Sequence, residues 1–228
     1  MQKKLSYSEL KVSIEDFVTG ESSLESLLLW RADIDEIICL GNELINPEVH
    51  IKQFEIEYLE KDRFSIDGVD FQCGNKIALQ LKNAESLALF VCTVGKGVTE
   101  YYKYFIEKNE LLKAYYVDML GSISVEKSMN IFQQQFSDKK NKQRYRITNR
   151  YSPGYCGWHL LEQKKLFNLF AGVSHGITLT ESCLMIPAKS ISGVIGIGAE
   201  VKFTEHDCDL CNLPKCIYRK KEFTALNS

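Results

Sequence analysis

Proline is scarce here, with four in 228 residues, and no tract is rich in glycine or serine. With 45% hydrophobic and 25% charged residues, that scarcity excludes a largely disordered or low-complexity chain. Long apolar runs are missing too. Nothing approaches the ~20 residues of a bilayer-spanning helix, and Met1 to Leu10 contains no apolar core of signal-peptide length. A cytoplasmic protein without a membrane partner is expected. Charge of one sign is equally lacking. A formal net charge of -2 gives no basic surface for a phosphate backbone, so no nucleic-acid partner is expected. The short basic patches Lys139-Lys140 and Arg219-Lys220-Lys221 read as solvated faces. Without an export signal, eight cysteines describe reduced thiols rather than a disulfide framework. There is no Gly-x-x-x-x-Gly-Lys loop, nucleophile elbow or zinc-protease helix. Gly95-Lys96-Gly97 follows an apolar run but is too sparse for the Gly-rich turn of a conventional methyltransferase.

What is present is periodic. Between Tyr7 and Leu44 apolar residues recur at helical spacing (Leu10, Ile14, Phe17; Leu24, Leu27, Leu28; Ile34, Ile37, Ile38), which predicts two or three short helices ending at Asn46-Pro47. From Val49 to Gly74 the period falls to two, with Asp67-Gly68 marking a tight turn between strands. Asn75 is placed to cap a short helix through Leu81, and residues 86–94 read as a buried central strand. Residues 98–136 form the longest helical pattern, 139–146 a polar linker, and 160–170 another helix. Strands fit 176–179, 183–186 and 192–199. With no βαβ alternation, this order predicts an α+β fold with a mainly antiparallel sheet and flanking helices. One domain is expected over residues 1–204, followed by a Cys-containing tail over 205–228.

The densest chemistry lies in Arg150-Tyr-Ser-Pro-Gly-Tyr155 and the following Cys156-Gly-Trp-His159. Proline fixes its own φ and glycine tolerates close approach, so such a loop can expose backbone to a ligand. Arg150 offers a fork for a carboxylate, and Tyr155 a ring face and a hydroxyl. On composition alone, an aromatic-rich turn packed on the core fits equally well.

The spacing Arg150-x-x-x-Gly154-Tyr155, with Pro153, resembles the motif of the activation (reactivation) domain of vitamin B12-dependent methionine synthase. A second block, Thr180-Glu181-Ser182, Met185, Pro187, Ser190 and Ser192-Gly193, resembles that family's next motif in the same order. The resemblance implies an S-adenosylmethionine site formed by Arg150, Ser152, Pro153, Gly154 and Tyr155, with Glu126 as a further contact. It also implies a reactivation factor that stands alone, supports reductive methylation of cob(II)alamin, and catalyses nothing with its own side chains. The cobalamin would be supplied by a partner methyltransferase or other corrinoid protein, and the electron by a flavodoxin-type or other donor. The family's usual continuation after Gly-Tyr is Pro-Ala-Cys-Pro, replaced here by residues 156–159.

Cys208-x-x-Cys211-x4-Cys216, with His206 and Asp207 beside it, has the spacing of a metal centre, one ligand short of four. Zinc and an iron–sulfur cluster both fit, as do reduced cysteines without metal. Two other functions remain open: a non-catalytic corrinoid-protein partner, and an iron–sulfur redox protein of corrinoid metabolism.

Overall fold

A computed structural model of the chain describes residues 1–18, 29–171 and 176–204. Its main sheet has the strand order β1 (Gln2–Lys4), β2 (Glu48–Glu55), β6 (Ser86–Thr93), β10 (Ser190–Gly198), β7 (Arg146–Tyr151). Every neighbouring pair is antiparallel. All eight residues of β6 are buried, because β6 has a strand on each side and a layer on each face. That explains its unbroken apolar run, which a half-exposed strand would not show.

Side chains alternate across a strand, so β6 divides its residues between two cores. Ala88, Phe90 and Cys92 face a helical layer made by α1 (Tyr7–Leu10), α2 (Arg31–Leu44), α4 (Gly97–Glu107) and α5 (Leu111–Asn141). Leu87, Leu89 and Val91 face a smaller layer. That layer consists of the three-stranded sheet β3 (Tyr58–Leu59), β4 (Phe64–Ile66) and β5 (Val69–Phe71), with helices α3 (Gly74–Gln80) and α6 (Gln163–Leu169). A hairpin, β8 (Thr178–Leu179) with β9 (Met185–Ile186), leads into β10. The expected α+β fold with a mainly antiparallel sheet is therefore present.

Three local expectations are corrected. The helical pattern over 98–136 is two helices, broken where Asn109 takes φ 60°, a left-handed conformation that Asn adopts more readily than most residues. α5 then continues to Asn141, through part of the expected linker, where Lys139 and Lys140 in its last turn complement the helix dipole. The rest of that stretch leads into β7, which no strand signal announced. Being an edge strand, β7 carries Arg146, Asn149 and Arg150 in positions that a central strand would fill with apolar residues, and its period-two pattern is obscured. The expected turn is present, with Asp67 at φ 51° and Gly68 at φ 70° joining β4 to β5.

Candidate functional site

Arg150 pairs with Ile195 across the β7–β10 ladder, and Ile195 belongs to the helix-side core. The guanidinium consequently lies toward α5. Its Nη2 donates to Glu126 Oε2 at 3.1 Å and to Asn130 Oδ1 at 2.9 Å. Glu126 and Asn130 stand four residues apart and so share one helix face. The Arg150 side chain is 21% exposed and that of Glu126 56%. Arg150 Nη1 is buried and has no hydrogen-bond partner among the described residues. A buried guanidinium N–H without an acceptor is costly, and a carboxylate that used both nitrogens of the fork would remove that cost.

The same row of α5 extends backwards through Ser122 and Asp118. Lys189, from the connection between β9 and β10, donates from Nζ to Asp118 Oδ1 at 2.8 Å and to Ser122 Oγ at 2.9 Å. Two cations, Lys189 and Arg150, thus face a polar row of α5 spaced 118, 122, 126, 130. Asn130, Lys189, Asp118 and Ser122 were missed in the sequence. For the three on α5, the one signal was a polar residue at every fourth position with Glu126, among the helix's many other polar residues.

Tyr151 turns to the opposite face, with its hydroxyl 3.5 Å from Gln80 Oε1. The loop after it is folded on itself. Gly154 N–H donates to Trp158 O at 2.7 Å, Tyr155 N–H to Ser152 O at 3.3 Å and Trp158 N–H to Tyr155 O at 2.9 Å. Pro153 is buried, Gly154 takes φ 98°, and Tyr155 is 64% exposed at the rim. Trp158 anchors the loop: it is 1% exposed and meets Phe64 and Phe71 edge-on, with centroids 5.8 and 6.2 Å away. His159 Nδ1 accepts from Leu161 N–H at 3.3 Å, capping the short helical turn before α6.

The second sequence block meets the first through the sheet. A Cβ on Gly193 would lie 2.3 Å from Tyr151 O and 2.8 Å from Ser152 Oγ, so only glycine lets β7 and the Ser152 side chain approach this closely. Ser190 Oγ donates to Pro187 O at 2.7 Å and lies 2.9 Å from Thr93 Oγ1. Thr180, Glu181 and Ser182 lie in the β8–β9 connection, where Leu184 N–H donates to Thr180 Oγ1 at 3.0 Å.

The Cys92 thiol lies in the electrostatic reach of Glu126 and Arg150. Burial, then Glu126, pushes its pKa up to about 12, with Arg150 pulling the other way. It is an inert wall at neutral pH. Cys208, Cys211, Cys216, His206 and Asp207 lie outside the described residues. Among the described residues no group of three or more His, Cys, Asp and Glu could hold a metal ion, and no helix is long and apolar enough to cross a membrane.

Together these features define an antiparallel α+β domain with a polar seam where one sheet edge meets its longest helix. Residues 69–207, more than half of the chain, match the family model "Vitamin B12 dependent methionine synthase, activation domain". That span contains Glu126, Arg150, the loop and both sequence blocks. The chain belongs to this activation-domain family, which ties it to a cobalamin-binding partner. Among solved structures, the MetH reactivation domain bound to AdoHcy is similar with a TM-score of 0.67 and 16% sequence identity, covering 90% of this chain and 80% of that one. The fold is shared. A comparison with curated proteins finds no match.

Proposed function

We propose that the chain binds S-adenosylmethionine in the cleft between α5 and β7 and presents it to a cobalamin-binding methyltransferase module, supporting the reductive methylation of cob(II)alamin. The observation that carries this reading is Arg150 Nη1, buried and without an acceptor among the described residues, beside a row of α5 that includes Glu126 and Asp118. The ligand is a zwitterion with an added sulfonium charge. Its carboxylate suits the free side of the Arg150 fork, and its cationic groups suit the two acidic side chains. Family membership and the AdoHcy bound to the structural neighbour support the same ligand.

S-adenosylmethionine supplies an activated methyl group, which the partner's cobalt receives after a flavodoxin-type or other donor has provided one electron. The chain's contribution is positioning. Arg150 would fix the carboxylate end, while Glu126 holds the guanidinium plane through Nη2. Ser152 would bound the cleft beside Gly193, and Pro153 and Gly154 would set the curvature that places Tyr155 at its rim. Gly154 N–H and Tyr155 N–H close the loop on itself, so ligand contacts from these two residues would come from carbonyls and side chains.

Mixing the protein with a cob(II)alamin-loaded methionine synthase module, a reductant and labelled S-adenosylmethionine should give labelled methylcobalamin. Titration calorimetry should show saturable binding, and its absence would defeat the proposal. A second reading, a corrinoid-protein partner that binds no ligand, is favoured by one feature: Glu126 and Asn130 already satisfy Arg150 Nη2. It requires a complex with the cobalamin module and no heat of binding from S-adenosylmethionine. The Cys208, Cys211 and Cys216 cluster is proposed as a zinc or iron–sulfur centre on its spacing alone. Absorbance and metal content after anaerobic purification decide between the two, and a colourless, metal-free protein would exclude both.

A further inference from the structure

Thirteen residues beyond Glu126, α5 reaches Lys139, about 20 Å away at the rise of an α-helix. There it borders a second concavity, at the opposite edge of the main sheet. β1 pairs with β2 only as far as His50, with two further bonds, from Ile51 N–H to Met1 O and from the Met1 ammonium to Ile51 O. From Lys52 to Glu55, that edge of β2 has no strand partner among the described residues. A cavity of about 540 Å³ opens beside it, lined by Lys52, Gln53, Phe54, Phe136, Lys140 and Leu169, with Lys139, Ile51, Met1 and Asp67 completing the wall.

Its charges are unbalanced and held in place. Lys52 Nζ donates to Leu169 O at 2.8 Å. Lys140 Nζ donates to Gln53 Oε1 at 2.7 Å and sits 5.5 Å above the Phe136 ring. Lys139 is exposed at the mouth. None of the three forms an ion pair with a carboxylate among the described residues. Asp67 is the single acidic side chain of the lining, and Glu55 acts on Lys140 from outside it. Burial, then the neighbouring Lys139, holds Lys140 below the usual lysine pKa, a cost that a bound anion would reverse. Lysines at the end of a helix also neutralise its dipole, but that accounts for neither Lys52 on β2 nor the cavity that wraps the open edge of β2, with lining from both of its faces. Amide direction alternates along an antiparallel edge, so Gln53 N–H, two residues past Ile51, also points to this open side. Phe54, Phe136 and Leu169 supply apolar walls.

We infer that this pocket binds a small organic phosphate: lysine ammonium groups and an edge amide take the phosphoryl oxygens, and the two phenylalanines and Leu169 take an apolar or ring-bearing body. Its size lies within the range of small-molecule sites, and lysine recognises phosphate as a point charge. The site is separate from the Arg150 cleft and does not depend on what that cleft binds.

The test is titration of the full chain with phenyl phosphate and with inorganic phosphate, followed by amide chemical shifts and by calorimetry. Phenyl phosphate should bind saturably and more tightly than inorganic phosphate, shifting the amides of Lys52, Gln53 and Lys140. Lys52→Met with Lys140→Met should weaken it at least about tenfold, the loss expected for a charge-assisted contact. Arg150→Ala and saturating S-adenosylmethionine should leave it unchanged. If the double variant does not fold, Lys139→Met alone, at an exposed position, should still weaken binding about threefold. Linear, non-saturating shifts, shifts confined to the Arg150 cleft, or an affinity that the lysine variants do not change would each overturn the assignment.

Discussion

Arg150→Ala separates a ligand-binding arginine from a structural one, because the two roles predict different magnitudes. In the fold, Arg150 pairs with a Glu126 side chain that is 56% exposed, and such ion pairs contribute about 0–1 kcal/mol. Asn130 adds one neutral acceptor. Truncation also removes the buried Nη1, which has no partner among the described residues, so part of the loss is offset. A net cost of about 1 kcal/mol corresponds to a fall of roughly 2–4 °C in Tm for a chain of this length. For the ligand, a charge-assisted contact to a carboxylate is worth about 1.5–3 kcal/mol, or roughly tenfold to a hundredfold in Kd. Titration calorimetry with S-adenosylmethionine and thermal unfolding on the same preparations measure both quantities. Arg150→Lys retains the charge but not the planar fork, and should recover only part of the affinity. An Arg150→Ala protein that binds within threefold of the parent refutes the assignment. So does a variant whose lost affinity is matched by loss of the fold.

Trp158→Ala should destabilise the domain by about 3–5 kcal/mol, the usual cost of removing a buried aromatic ring. Trp158→Phe should cost less than about 1.5 kcal/mol, since it keeps an aromatic ring against Phe64 and Phe71 and removes a buried Nε1–H that has no partner among the described residues. Urea denaturation ranks the two, and equal losses would count against this account of the loop anchor. Gly193→Ala forces a Cβ to 2.3 Å from Tyr151 O. It should cost about 1–3 kcal/mol and weaken S-adenosylmethionine binding by displacing Ser152, whereas unchanged binding would show that the close approach is dispensable. Burial raises the Cys92 and Cys73 thiol pKa values from 9.0 to about 12. Their contribution to stability is therefore complete below about pH 9. It is lost as pH rises from there towards 12, because the unfolded chain releases protons that the folded one keeps. The slope is about 1.4 kcal/mol per pH unit for each thiol. Urea midpoints at pH 7, 9 and 10 should fall only above 9, and a Cys73→Ala/Cys92→Ala protein should lose that part of the slope.

Much of the architecture was legible because burial imposes the period directly. β6, buried on all eight residues, reads as an apolar run, and Asp67-Gly68 reads as a turn because both residues take positive φ. β7 was not legible, and it is the strand that carries Arg150. An edge strand that carries polar side chains toward a helix has no clean apolar alternation to display, so the polar position of Arg150 also hides its strand. The partners of Arg150 were half legible. Glu126 came from family resemblance, while Asn130 is evident only once α5 and β7 are set side by side. The break at Asn109 escaped notice because it uses a left-handed asparagine in place of glycine or proline.

The residues that depart from the family motif acquire a location. Successive side chains of β7 point to opposite faces, so Arg150 joins the helix side and Tyr151 the other. The loop continues on the Tyr151 side: Trp158 meets Phe64 and Phe71 edge-on in the smaller core, and Cys156 packs against the same cluster. Two of the replaced positions therefore belong to the layer that holds the loop from behind, and His159 caps the turn before α6. The face of Arg150 that meets α5 is built from Glu126, Asn130 and the Gly193 contact, none of which lies in the replaced segment. Substituting Pro-Ala-Cys-Pro by Cys156-Gly157-Trp158-His159 thus changes how the loop is fastened to the smaller core. Grafting the family's four residues into this chain should accordingly lower stability, through loss of the Trp158 anchor, by more than it alters the affinity of the Arg150 cleft. Parallel unfolding and titration measurements decide this, and an affinity that rises sharply at unchanged stability would place the replaced residues in the ligand cleft after all.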